Sequence, residues 1–317
     1  MPAFPINPPE KNNLRELERK VKDLMVKGFA YTEVYNYSFV SPQMVSKMGD
    51  DISKYLELDN PLSQDRPFLR RHLLTNMLEN ILKNVDKNKN LKLFEIGKTY
   101  LAEKQGLRAV ANSDQLLPRQ DSWLCGVCVA KKDAFWEAKS VAEGVFKEAK
   151  RNYEIKKIDE LTSWQHPTRS AAIMRDEETL GFIYELHPLI AEGLGLEEKI
   201  GIVEINLDKL ANVPEDSAVY KSISEFPAVE RDLAFKVKKE VAHEQIQKAL
   251  LKISDLLKKV ELFDVYTGEN LGGNSKSMAY HFVYQDPQKT LTTTEVDAIQ
   301  EKIIRLLSEK FEAEVRV

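Results

Sequence analysis

Hydrophobic residues recur at helical spacing in three segments of the first two hundred residues. The three sets are Leu14, Leu17, Val21, Leu24 and Met25; then Leu69, Leu73, Met77, Leu78, Ile81 and Leu82; then Val141, Val145, Phe146 and Ala149. A spacing of three and four lines one face of a helix. The pattern predicts helices over residues 12–27, from just after Pro67 to Leu82, and over 135–151. Gly28 stands where a helix C-terminal glycine belongs.

Apolar runs bounded by polar or turn-forming residues predict strands between these helices. The runs cover residues 29–40, 91–101, 122–130, 171–174 and 180–184. Residues 102–120 are polar with little periodicity, which predicts a loop. Arg70 and Arg71 fall near the start of the second helix, where a solvated face is the simplest expectation.

Residues 224–317 carry a different order of patterns: strand, helix, strand, strand, helix, strand. This is the split βαβ, or ferredoxin-like, plan. In the second strand Phe263 and Val265 are expected to face the helices, and the alternate residues to face away. Thr292 and Glu295 have the spacing of a capping box at the start of the last helix.

A sheet with helices on one face leaves its other face open. The alternation assigns to this open face Asp232, Ala234, Lys236, Leu262, Asp264, Tyr266, Ser277, Ala279 and His281. One aromatic ring among hydrogen-bonding and small side chains suits unstacked nucleic-acid bases. A solvated sheet face is the alternative, and Arg231 with Asp232 could form a structural ion pair there.

The length and composition favour a cytoplasmic protein of two domains. The chain has 317 residues, 43% of them hydrophobic and 30% charged, which is long for a single core. We expect domains over 1–210 and 224–317, joined by a polar linker over 211–223. No apolar run is long enough to cross a membrane, and the first residues lack the features of a signal peptide.

The charge balance does not favour strong RNA binding. The net charge is −4, and residues 224–317 hold 14 Lys and Arg residues against 16 Asp and Glu. Neutralisation of phosphates supplies much of the non-specific affinity for nucleic acids. Any RNA contact is therefore expected to be local and determined by shape.

Two motifs invite a metal or redox interpretation, and both have simpler explanations. Cys125 and Cys128 lie in a predicted strand, where positions i and i+3 point to opposite faces, so both thiols are expected to be buried in the core. His166 and His187 each precede a proline, but no further ligands stand at a suitable spacing. We expect no metal site.

Several segments resemble the beta subunit of bacterial phenylalanine–tRNA ligase. In the last domain they are Phe226–Leu233, Leu262–Gly268 and Lys289–Thr292; in the first they include Gly28-Phe29, Asn60–Ser63, Leu93–Gly97, Glu185–Pro188 and Glu204–Asp208. Each is weak alone, but together, in the family's order, they span nearly the whole chain. The resemblance implies an α+β protein: a class II synthetase-like antiparallel sheet with helices, then a ferredoxin-like βαββαβ anticodon-binding domain.

The resemblance also implies how such a chain would work. The family assembles with a catalytic alpha subunit as an α2β2 heterotetramer that uses ATP and Mg2+ to join phenylalanine to tRNA(Phe). The resemblance implies that anticodon contacts lie on the open face. In this sequence we assign them to Asp264, Tyr266 and Ser277. The family's beta subunit also carries further N-terminal domains, including an editing site, and we assign none of their functions to this sequence.

The chain itself is expected to be catalytically inactive. A class II catalyst needs arginines that stabilise charge on the α-phosphate. The Arg-x-Glu of this sequence, Arg175–Glu177, falls at a predicted hairpin turn, and Gly195 is followed by Glu197 and Glu198 instead of an arginine. A non-enzymatic RNA-binding or assembly module without an alpha subunit is the main alternative. The missing arginine disfavours a paralogue with its own amino-acid site.

Overall fold

A computed structural model describes residues 11–108, 116–217, 224–268, 271 and 273–316. The chain divides into two compact units, residues 1–217 and 218–317. Among the described residues, every helix is too short or too polar to cross a bilayer.

The first unit combines short helices with two sheets. Its helices are α1 (Asn13–Asp23), α2 (Pro42–Lys47), α3 (Leu74–Asn84), α4 (Ala134–Glu148), α5 (Pro188–Gly193) and α6 (Leu207–Asn212). Its strands are β1 (Thr32–Glu33), β2 (Phe39–Val40), β3 (Leu56–Glu57), β4 (Phe68–Leu69), β5 (Lys92–Arg108), β6 (Leu116–Ala130), β7 (Glu154–Lys156), β8 (Gln165–Arg175), β9 (Glu178–Leu186) and β10 (Lys199–Asn206). Asn12 caps α1 by accepting the Arg15 N–H, and α1 continues into a π-helical turn, Leu24–Gly28.

Seven of these strands form one large sheet, in the order β1-β5-β6-β10-β9-β8-β7. The short β1 pairs parallel with β5, and all other neighbours are antiparallel. Helices α1, α4 and α6 pack on one face of the sheet, and α3 packs on the other. Each face has its own hydrophobic cluster. Cys128 lies in the first cluster and Cys125 in the second, both at most 1% exposed. The prediction that the two thiols occupy opposite faces is confirmed.

The strand predicted over residues 29–40 is wrong. The structure has two short strands there, β1 and β2, which belong to different sheets. The segment between them is fixed by polar contacts: the Asn36 side chain donates to Glu95 Oε2 at 2.7 Å, and Ser38 O accepts the Arg70 N–H at 2.9 Å. These partners come from distant parts of the chain and replace the regular strand pairing.

The predicted solvated position of Arg70 is also wrong. Phe68 and Leu69 form β4, and α3 begins only at Leu74, so Arg70 precedes the helix. Its guanidinium lies 2.8 Å from Glu95 Oε1, and both side chains are 3% exposed. A Cβ at Gly97 would lie 2.3 Å from the Arg70 guanidinium. Gly97 therefore leaves the space that this buried ion pair occupies.

The loop predicted over residues 102–120 is largely a β-hairpin. β5 extends to Arg108 and β6 begins at Leu116, with the two strands paired as far as these residues. Residues 109–115 lie outside the described part of the chain. Polar composition without periodicity therefore does not distinguish a loop from a hairpin here.

Of the linker predicted over residues 211–223, the structure describes the part up to residue 217. Helix α6 ends at Asn212, and Asp216 still belongs to the first unit, since its carboxylate pairs with Arg175 at 2.9 Å. Residues 218–223 of the predicted linker lie outside the described residues.

The second unit has the predicted order of elements: β11 (Val229–Lys238), α7 (His243–Leu250), β12 (Leu257–Tyr266), β13 (Ser275–Tyr284), α8 (Thr293–Phe311) and β14 (Glu314–Arg316). The sheet runs β12-β13-β11-β14, antiparallel throughout. One cluster joins both helices to one sheet face, with Phe235, Tyr280, Phe282, Ile246 and Ile303 fully buried. The predicted α+β class and ferredoxin-like plan are confirmed.

Candidate nucleic-acid interface

The strand register places the three predicted site residues on one face of the second unit's sheet. Asp264 pairs with Ala279, and Tyr266 pairs with Ser277. On the other side of β13, Ala279 and Ser277 pair with Ala234 and Lys236. Directly paired residues share a face. The neighbouring positions Met278 and Phe235 are buried against the helices, so the site residues are on the open face.

The prediction for Leu262 and Phe263 is wrong, because β12 contains a bulge between Leu262 and Asp264. Leu262 pairs with Tyr280 and packs against the helix-side cluster. Phe263 is the extra residue and is 59% exposed. A bulge inserts one unpaired residue and so resets the alternation. It lets Leu262 face the helices while Asp264 and Tyr266 remain on the open face.

Tyr266 presents an accessible ring at the end of an edge strand. Its side chain is 50% exposed, and β12 is the outermost strand of the sheet. A Cβ at Gly268 would lie 2.0 Å from the Tyr266 hydroxyl oxygen and 2.2 Å from Cζ. The phenol ring therefore lies over Gly268, where a larger residue would push it away. This role of Gly268 was not predicted from the sequence. The available indication was a glycine two positions after an aromatic residue that ends a strand.

The charged groups of the open face are largely paired with one another. His281 Nδ1 lies 2.6 Å from Asp232 Oδ1, which corrects the predicted Arg231–Asp232 ion pair. Lys236 Nζ lies 3.3 Å from Glu314 Oε2. Arg231 pairs in register with the buried Phe282 and is therefore not on the open face; its side chain donates to the Glu230 carbonyl oxygen. A lysine already paired with a carboxylate contributes little to phosphate neutralisation, so charge alone does not make this face an RNA-binding surface.

The arrangement offers the groups that recognise an unstacked base. The Tyr266 ring can stack on a base, and Asp264 can accept from an amino or imino group. Ser277, directly across from Tyr266, can both donate and accept. Ala234 and Ala279 beside them leave room for a base to approach the sheet.

The basic side chains near the β8–β9 turn are already paired with carboxylates. A cavity of about 790 Å3 near the β8–β9 turn is lined by three basic residues, Arg119, Arg175 and Lys209. Each already pairs with a carboxylate: Arg119 with Asp121 at 2.9 Å, Arg175 with Asp216 at 2.9 Å, and Lys209 with Glu178 at 3.2 Å. Within the described ranges, no group of three or more His, Cys, Asp or Glu side chains could hold a metal ion.

The position of the Arg-x-Glu motif agrees with its sequence context. Arg175 ends β8 and Glu178 begins β9, and Asp176 between them has a φ of 54°. The motif is thus a hairpin turn, as predicted. Beyond α5, Glu198 pairs with Lys89 at 2.8 Å.

Comparison with known proteins gives a consistent result for both units. The sequence profile of the "Phenylalanyl tRNA synthetase beta chain CLM domain" matches residues 1–207, and that of the "Ferredoxin-fold anticodon binding domain" matches residues 224–316. The phenylalanine–tRNA ligase beta subunit of Streptococcus thermophilus is 34% identical over 97% of this chain, and that of Clostridium tetani is 30% identical over 95%.

These relatives are longer proteins. The chain spans 39% of the Streptococcus thermophilus protein and 38% of the Clostridium tetani protein. Among solved structures, the pyrrolysyl-tRNA synthetase of Desulfitobacterium hafniense is similar in fold. The superposition covers 62% of this chain and 67% of the synthetase chain, with a TM-score of 0.49 and 18% sequence identity. Two domain profiles in the family's order, the first of which alone matches residues 1–207 of 317, establish the relationship. The chain belongs to the phenylalanyl-tRNA synthetase beta chain family.

Proposed function

We propose that this chain works as the beta-subunit part of a phenylalanine–tRNA ligase that contacts the anticodon of tRNA(Phe). The observation that carries the proposal is the register of β12 and β13, which brings Asp264, Tyr266 and Ser277 together on the open face. The match of residues 224–316 to the ferredoxin-fold anticodon-binding domain supports it.

The first unit serves in this proposal as a scaffold for a catalytic alpha subunit. Its own cations near the β8–β9 turn are paired, so ATP and Mg2+ are used by the assembled α2β2 enzyme in the cytoplasm and not by this chain. Exposed aromatic residues support a protein interface: Tyr35 is 76% and Tyr37 is 79% exposed in the segment between β1 and β2. Tyrosines are enriched at protein interfaces.

Co-expression with an alpha subunit tests the scaffold role. We expect the chain to co-purify with the alpha subunit, and Tyr37→Ala to weaken that association without unfolding the chain. Leu189→Ala, which also changes an exposed apolar side chain (68% exposed) elsewhere in the unit, is the matched control. A chain that stays separate from the alpha subunit but binds RNA tightly by itself would favour the non-enzymatic RNA-binding module instead.

A further inference from the structure

Two carboxyl groups lie in one row across the large sheet of the first unit, and only one of them has a cationic partner. Glu95 pairs in register with Cys125, Cys125 with Glu204, and Glu204 with Phe182. Glu95 is neutralised by the buried Arg70. Among the described residues, no Lys, Arg or His forms an ion pair with Glu204.

Glu204 is half-buried in the sheet, and its hydrogen-bond partner is a tyrosine and not a cation. One carboxyl oxygen accepts the Tyr184 hydroxyl at 2.7 Å. Burial raises the pKa of Glu204 above its ordinary value, and the Tyr184 hydrogen bond and nearby His72 oppose the shift only in part. An unpaired carboxylate in such surroundings is costly unless a cation or a proton compensates it.

A cavity of about 210 Å3 opens beside Glu204. Its walls are aromatic and aliphatic side chains: Trp123, Trp164, Phe182, Leu73 and Leu101. The Trp164 ring packs against His72, with 4.8 Å between ring centroids. The cavity is smaller than the 300–1,000 Å3 or so of pockets for drug-sized ligands. Its size excludes a nucleotide and admits a single-ring molecule.

The basic groups at this cavity are engaged with partners outside it. Arg71 donates two hydrogen bonds to Glu103, at 2.7 and 2.8 Å. His72 Nε2 lies 3.1 Å from Asp50 and 2.9 Å from the Tyr55 hydroxyl. Glu160 is exposed at the rim. Of the two carboxylates that line the cavity, Glu204 is therefore the less exposed one, and no ion pair to it is formed among the described residues.

We propose that this cavity binds a small aromatic molecule that carries an amino group, with its ring among Trp123, Trp164 and Phe182 and its ammonium at Glu204. The ammonium pairs with Glu204 in the same way that the Arg70 guanidinium pairs with Glu95. Aromatic walls favour both a flat ring and a neighbouring cation. The proposal is independent of the anticodon contact, since all its residues belong to the first unit.

The three tryptophans of the chain provide the test. Trp123 and Trp164 line the cavity, whereas Trp136 on α4 is 58% exposed elsewhere. The indole N–H resonances of the full chain are followed by 15N NMR during a titration with 2-phenylethylamine at neutral pH. We expect saturable shifts of the Trp123 and Trp164 signals in the millimolar range, with the Trp136 signal unmoved.

Charge recognition is tested with a neutral probe and two variants. Wild type is expected to bind 2-phenylethylamine about tenfold more tightly than 2-phenylethanol, because a charge-assisted hydrogen bond is about twice as strong as a neutral one. Glu204→Gln should abolish this preference, and Glu178→Gln, which removes an exposed carboxylate at the β8–β9 turn, should keep it. The proposal is overturned if the wild-type chain shows no saturable shift, shifts Trp136 equally, or binds both probes alike. The wild-type comparison decides the matter even if Glu204→Gln fails to fold.

Discussion

At the scale of single residues, the main difference is whether a charged side chain inside the first unit has a partner of opposite charge. Arg70 and Glu95 neutralise each other in the first unit, and Arg70 also donates to the Lys98 carbonyl oxygen at 2.9 Å. Glu204 lies in the same row of that sheet, and no cationic side chain in the described part of the chain forms an ion pair with it. The local sequence indicates neither outcome, because Arg70 and Glu95 are 25 positions apart and their pairing depends on the space above Gly97. A single glutamate within the apolar run of β10 was the available signal for Glu204.

Replacing Arg70 with methionine is expected to destabilise the first unit by about 3–5 kcal/mol, since it leaves Glu95 buried and unpaired. Urea unfolding of the full chain measures the change. Arg305→Ala is the control, because Arg305 and Glu309 are 80% and 71% exposed and such pairs contribute about 0–1 kcal/mol. Equal effects of the two substitutions would contradict the importance of burial here.

The free energy of unfolding should depend on pH through Glu204. Its folded pKa is raised by burial, so the folded chain binds a proton at Glu204 more tightly than the unfolded chain does. The destabilisation of the folded chain by the charged form of Glu204 is absent below the unfolded pKa of about 4.3. It grows as the pH rises toward the folded pKa. The stability of Glu204→Gln relative to wild type should therefore increase from about pH 4 upward and then level off. Urea unfolding at a series of pH values measures it, and a constant difference would count against the raised pKa.

At the scale of elements, periodicity predicted long helices well and irregular strands poorly. The buried positions of α4 and α8 follow from spacing alone, because one apolar stripe must meet the sheet. The bulge in β12 does not follow from the spacing, because residues 262–266 also fit a regular alternation. The open face was nevertheless predicted for Asp264, Tyr266 and Ser277, since these residues follow the bulge or lie on the neighbouring strand.

The capping box at the start of α8 gives a test at this scale. The Thr292 side chain accepts the Glu295 N–H at 3.3 Å, and Glu295 Oε2 accepts the Thr292 N–H at 2.9 Å. Thr292→Ala should cost about 1 kcal/mol of stability. Thr294→Ala, an exposed position in the same turn, should cost clearly less. Thermal or urea unfolding compares them, and similar losses would show that the cap is not the cause.

At the scale of the whole molecule, charge limits what the chain can do alone. The second unit is slightly acidic, and Lys236 on its open face already has a carboxylate partner. In the proposed role, the second unit would therefore depend on the rest of an assembly to bring the nucleic acid to it. Composition was sufficient to predict this weakness, whereas the pairing of the individual charges required the structure.

The isolated chain should accordingly bind arbitrary RNA weakly and with little salt dependence. We expect a slope of log K against log salt shallower than about −2, which corresponds to three or fewer phosphate contacts on a single strand. Filter binding between low and physiological salt measures the slope. Tight binding that falls steeply with salt would contradict the charge argument.

The contact between Tyr266 and the anticodon is the central claim, and a double-mutant cycle tests it most directly. The enzyme assembled with an alpha subunit, either wild type or Tyr266→Ala, is titrated with tRNA(Phe) and with the same tRNA lacking its anticodon bases. Val265→Ala is the control, because Val265 pairs with Met278 on the opposite face. The account predicts that Tyr266→Ala loses about 1–3 kcal/mol with the intact tRNA, little with the abasic one, and that Val265→Ala loses little with either. An equal loss with both tRNAs, or none, would contradict it.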